Sequence, residues 1–153
     1  MRLNPYVYNV LIALAIAVLG FILLNAAFLL NFLLFRLTDI IIPHESVPAV
    51  PWYPAARHLF FLVLILVLSW LILRAKARPF FKAVYLTVPV AVTLVTVGML
   101  LYNWPVLTYI TGVLLTAGIL FYLYRNRLRW YYYYATLLVA LTLLVFTLSG
   151  GEI

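Results

Sequence analysis

Cysteine is absent from the 153 residues of this chain. That excludes disulfides, thiol redox chemistry, Cys-ligated zinc and iron–sulfur clusters, and it leaves the redox compartment unreadable. Charge is scarce as well. Only 8% of residues are charged, against roughly 25% in a soluble domain that must present a wetted surface. The acids are three, Asp39, Glu45 and Glu152, and the histidines two, His44 and His58. No HExxH or HxxxH spacing occurs, and the residue set calls for no metal and no cofactor. Nor does any ionisable residue fall near the middle of a long apolar run. Such residues mark proton relays, ion-coupled carriers and voltage sensors, so their absence argues against a proton-driven pump or a charge-coupled transporter.

What the chain has instead is apolar surface. Hydrophobic residues make up 69% of it and the mean hydropathy is +1.20. A chain this short has much surface for its volume and cannot hide so many apolar side chains in one aqueous core. Lipid is the solvent that fits, and the expected fold is an all-α polytopic integral membrane protein, a single membrane domain over residues 1–153.

The runs between charges divide it. Leu3 to Phe35 carries no charge and suits one long or tilted helix, since a bilayer core takes roughly 20 apolar residues. This run is far longer than the roughly 7–15-residue apolar core of a cleavable signal, so it is expected to stay as a span. Ala83 to Tyr124 is also uncharged, with Asn103-Trp104-Pro105 as a break, because proline suits a helix start and not its interior. Five transmembrane helices are predicted, at about 8–35, 55–73, 83–102, 105–124 and 130–148. The third carries Pro89 and is expected to kink there. Between the first two lies a predicted outer loop, 36–54, with four prolines, Pro43, Pro48, Pro51 and Pro54, that oppose a long helix.

The net charge of +7 is sorted by this count. Arg2, then Arg74, Lys76, Arg78 and Lys82, then Arg125, Arg127 and Arg129 fall on one side; only Arg36 and Arg57 fall on the other, with all three acids. The positive-inside rule places the N-terminus in the cytoplasm, the C-terminus outside and the protein in the cell membrane. Cations in short clusters between apolar runs form no continuous basic face. They read as contacts with membrane lipids and not with nucleic acid. Tyr122, Tyr124, Trp130 and Tyr131 to Tyr134 around the arginines read as a headgroup-level aromatic belt.

Two small-residue series suggest helix contacts. Ala13, Ala17, Gly20 and Ala27 make a stripe in the first span, and Thr108, Gly112 and Thr116 recur every four residues in the fourth. In lipid, close backbone approach takes over the role that the hydrophobic effect has in water. Asn25, deep in the first span, is a polar group that lipid penalises, and it marks a possible polar pocket; Asn31 nearer the end of the span shares that penalty. His44 and Glu45 are the most enzyme-like pair, as base and orienter or as metal ligands, although neighbours in sequence seldom converge on one atom. His58, following Arg57, reads as interfacial.

In size, number of spans and a first loop bearing proline and Trp52, the chain is loosely similar to the translocator-protein (tryptophan-rich sensory) family, which binds porphyrins and sterols. It has none of that family's dense tryptophan pattern, and no residue role carries over. The expected function is a non-enzymatic accessory, anchoring or assembly subunit, with a membrane protein partner or a homo-oligomer. The alternative is a binding or transport protein for an apolar molecule or lipid, and a third reading is a membrane enzyme with an outward-facing site at His44 and Glu45.

Overall fold

The computed structural model describes residues 4–41 and 53–149. Five helices account for nearly all of them: α1 Pro5–Ile41, α2 Tyr53–Arg74, α3 Pro79–Leu100, α4 Pro105–Arg125 and α5 Trp130–Leu148. Each is long and apolar enough to cross a membrane. Proline occupies the first turn of α3 and of α4, where its missing N–H goes unneeded and its fixed φ suits the helix. Arg127 ends α4 in the left-handed region, φ 50°. There the Leu128 N–H bonds to the Leu123 carbonyl at 3.1 Å and the Arg127 N–H to that of Tyr124 at 3.0 Å. This Schellman pair caps carbonyls left over at the helix end.

The predicted boundary of the first span needs correction. α1 runs on through Arg36, Thr38 and Asp39 to Ile41, six residues into the predicted outer loop, and α2 starts at Tyr53. Charge ends a lipid-buried segment, but it does not end a helix. No proline stands between Pro5 and Pro43, and Thr38 Oγ1 donates back to the Phe35 carbonyl at 2.8 Å, keeping a polar residue compatible with the helix. At 37 residues and 1.5 Å per residue, α1 is about 55 Å long, well beyond the roughly 30 Å of a hydrocarbon core.

α3 is the hub, packing against all four other helices. Ile16 of α1 joins Ala83 and Val84 of α3, Leu123 of α4, and Tyr131, Tyr132 and Ala135 of α5 in one cluster. Ala27, Phe61, Ile65, Val88 and Val92 bind α1, α2 and α3 in a second, and Val90, Ala91 and Val139 join α3 to α5 in a third. The order of these contacts along the chain runs α1, α3 and α5 in one direction and α2 and α4 in the other. The loops 75–78 and 126–129 therefore share an end with Arg74, Lys76, Arg78, Lys82, Arg125, Arg127 and Arg129. Asp39, Arg57 and the Trp104 turn sit at the opposite end.

Pro89 lies buried inside α3. Thr93 Oγ1 donates to the Pro89 carbonyl at 2.7 Å, one of many threonine and serine hydroxyls that bond back to their own helix. A hydroxyl so occupied can stand in an apolar layer without a partner elsewhere.

Candidate functional site

The helices leave a groove of about 320 Å³ between α3, α4 and α5, toward the Trp104 end. That size falls within the range of small-molecule pockets. Its existence follows from side-chain size along α4. Near the basic end, Ile119, Leu120 and Leu123 of α4 pack into the clusters with Tyr131, Tyr132 and Ala135. One to three turns away α4 presents Thr108, Gly112 and Thr116 to the groove, and nothing large fills the gap. A Cβ built on Gly112 would meet no atom within 4 Å. Leu94, Val97 and Gly98 of α3 make the floor, and Ala140, Leu144 and Thr147 of α5 stand on the far wall.

The groove offers its occupant shape and almost no polarity. Thr108 Oγ1 donates to the carbonyls of Leu101 at 2.9 Å and Trp104 at 3.2 Å. Thr116 Oγ1 donates to the Gly112 carbonyl at 2.8 Å, and Thr147 Oγ1 to that of Leu144 at 2.9 Å. With these threonine donors used, the surface suits an apolar chain or an apolar helix, and no His, Asp, Glu, Lys or Arg lines it. Among the described residues, no group of three or more His, Asp or Glu side chains is placed to hold a metal ion.

A polar cluster sits at the same end, between α1 and α2. Arg57 Nη1 lies 3.0 Å from Asp39 Oδ1, close enough for an ion pair though not aligned as a hydrogen bond. Arg57 Nη2 donates to the Phe35 carbonyl at 2.8 Å. The guanidinium lies 4.1 Å over the Phe35 ring and 5.4 Å from that of Tyr53, and His58 meets Phe35 edge-on at 5.2 Å. Asn31 Oδ1 and Arg57 Nε are buried without a hydrogen-bond partner among the described residues. This cluster clamps the overhanging end of α1 to the start of α2.

The sequence-derived candidates separate in space. Gly20 and Ala27 are buried on the face of α1 toward α3, with Ala13 and Ala17 half-buried beside it. A Cβ on Gly20 would come 2.9 Å from Thr87 Cγ2, so the Thr87 side chain of α3 packs directly onto the α1 backbone here. Thr108, Gly112 and Thr116 instead face the open groove. Asn25 does not line this groove: it is exposed on α1, with Nδ2 donating to the Phe21 carbonyl at 2.8 Å. His44 and Glu45 lie outside the described residues. The groove itself was not legible as a cavity, because its other two walls come from helices that sequence spacing does not relate to α4.

At the basic end, three cations are held by the chain itself. Lys82 Nζ donates to the Leu73 carbonyl at 2.6 Å, Arg129 Nη1 to Tyr131 Oη at 3.2 Å, and Arg74 lies 4.1 Å over the Trp70 ring. The tryptophan and tyrosine rings stand beside cations, as at a headgroup layer.

Comparison with known proteins returns no match: no protein family, no curated protein and no solved structure is similar to this chain. The likeness to the translocator-protein family in size and span number has no counterpart there.

Proposed function

We propose that the protein is a non-enzymatic accessory, anchoring or assembly subunit of the cell membrane, and that the α3–α4–α5 groove receives a transmembrane helix of a partner protein. The observation that carries this reading is the Thr108–Gly112–Thr116 ridge turned toward open space, with Gly112 unopposed. Small residues at four-residue steps let a second helix approach along several turns, and dispersion over that length holds it there. The packing is a helix-in-groove mode with the apolar face buried. A second reading keeps the groove and changes the guest to a lipid acyl chain or an apolar small molecule. Its three walls and its largely apolar lining favour that guest.

Gly112→Leu separates function from folding, because the new side chain enters unoccupied space. On native gels of membranes solubilised in mild detergent, the wild-type protein should migrate with its partner. Gly112→Leu should release it folded, and Leu114→Phe should change nothing. Leu114 lies about 200° around the helix from Gly112 and is exposed. A wild-type protein that purifies without a partner, carrying bound lipid or pigment, would turn the assignment to the second reading.

The charge distribution supports an N-terminus and a basic end in the cytoplasm, with the C-terminus outside. Single cysteines at Asn103 and Lys76, both exposed, test it without background, since the chain has no cysteine of its own. In intact cells an impermeant thiol reagent should label the Asn103→Cys variant and spare Lys76→Cys. The reverse pattern would overturn the orientation.

A further inference from the structure

The face of α1 turned away from the bundle carries a pattern of its own. Leu11, Val18, Asn25 and Phe32 recur every seven residues, with Leu14, Phe21 and Phe28 between them, and all seven are exposed. Ile16, Gly20 and Ala27, which pack on the rest of the protein, lie on the opposite side. Alternating steps of three and four make a 3.5-residue repeat, the seam of a left-handed coiled coil, with Leu11, Val18, Asn25 and Phe32 at its first position and Leu14, Phe21 and Phe28 at its fourth.

Asn25 is the polar member of this seam and stands near the middle of Pro5–Ile41. One amide N–H is used on the Phe21 carbonyl; the residue is exposed, and hydrocarbon supplies no partner for its other N–H or its Oδ1. A carboxamide is both donor and acceptor, so its most direct complement is another carboxamide at the same depth. Two copies inserted in one membrane have the same orientation, so their α1 helices run parallel. A two-fold axis along the membrane normal then sets each seam position opposite itself, and Asn25 opposite Asn25. Any other protein would need a polar group at that depth by coincidence, whereas a second copy has it by symmetry.

We infer that α1 pairs with α1 of a second copy as a parallel two-stranded coiled coil centred on an Asn25–Asn25 amide pair. The amide sets the register of this seam, as a single polar seam residue does in soluble zippers. The interface is separate from the α3–α4–α5 groove and does not depend on the function proposed for it.

Oxidation of single-cysteine variants in native membranes tests the geometry. Val18→Cys should give a disulfide-linked dimer. Leu19→Cys, also exposed but about 100° around the helix, should not. Energy transfer between labelled copies in phosphatidylcholine vesicles tests the amide: Asn25→Leu should weaken the dimer roughly three- to thirtyfold, with no effect on folding because the side chain is exposed. Gly112→Leu should leave the Val18→Cys cross-link intact, which distinguishes failure of this interface from failure of the groove reading. Equal cross-linking at positions 18 and 19, no energy transfer, or an Asn25→Leu dimer as tight as wild type would each overturn the inference.

Discussion

Gly20→Leu should pry α1 from α3 and cost the protein much of its stability. The first atom of any side chain at this position already falls 2.9 Å from Thr87 Cγ2 and 3.1 Å from Thr87 Oγ1. Thr87 cannot easily turn away. It is buried, and its hydroxyl donates to the Val84 carbonyl at 2.7 Å, so a rotation gives up that bond in an apolar layer. Even Gly20→Ala should therefore cost about 1–3 kcal/mol, the usual range for overpacking a filled contact. The three further carbons of leucine have no space at all, and the helices must separate, losing the contacts around Ile16 and Ala27 as well. Thr87→Ala should partly rescue Gly20→Ala, because it removes the two nearest atoms. The coupling in a double-mutant cycle should fall in the range of about 0.5–3 kcal/mol seen for residues in contact. Gly118→Ala, with no atom within 4 Å of its Cβ, is the neutral control. Unfolding midpoints in detergent measure all of these variants, and a Gly20→Ala protein as stable as wild type would sink the argument.

That contrast between glycines shows what was and was not legible in the sequence. The five helices were, because each apolar run has to satisfy its backbone internally once it is in lipid, and the breaks at Pro79 and Asn103-Trp104-Pro105 are local chemistry. The two small-residue series looked alike as spacing. Yet Gly20 lies against Thr87 while Gly112 faces a void, and that difference depends on which helix crosses which, a tertiary fact. Counting residues puts Asn25 near the middle of the first helix, but counting could not choose between a pocket and the outer face. The seven-residue spacing of Leu11, Val18, Asn25 and Phe32 is a signal in the sequence that bears on that choice. The end of α1 was missed because loss of hydrophobicity at Arg36 was taken for the end of the helix. What carries the helix further is backbone and side-chain bonding at Thr38 and Asp39, together with an arginine that lies 18 residues beyond Asp39 in sequence and across a proline-rich segment.

Arg57 supplies the second large effect expected. Its guanidinium bonds the Phe35 carbonyl, faces Asp39 and stacks on Phe35, so it links α2 to the last turns of α1 through three kinds of contact. Arg57→Leu should destabilise the protein by about 2 kcal/mol. Truncating one partner of a fully buried pair costs about 3–5 kcal/mol, and this pair keeps side-chain exposures of 18% and 30%, which lowers the figure through solvent screening. Most of the loss should come from Asp39, left half-buried without its counter-charge. For that reason the double variant Asp39→Leu with Arg57→Leu should recover stability relative to Arg57→Leu alone, a result that a simple count of lost contacts would not give. Arg57→Lys should not substitute. An ammonium is a point donor on a flexible stem; it cannot bond a carbonyl and face a carboxylate in one fixed plane while stacking on a ring. If Arg57→Lys matched wild type in unfolding midpoint, the planar fork would be irrelevant and charge alone would hold the clamp. If the double variant were less stable than Arg57→Leu, Asp39 would have a favourable role beyond its pairing with Arg57. The expected order is therefore wild type first, then Arg57→Lys and the double variant, and Arg57→Leu last.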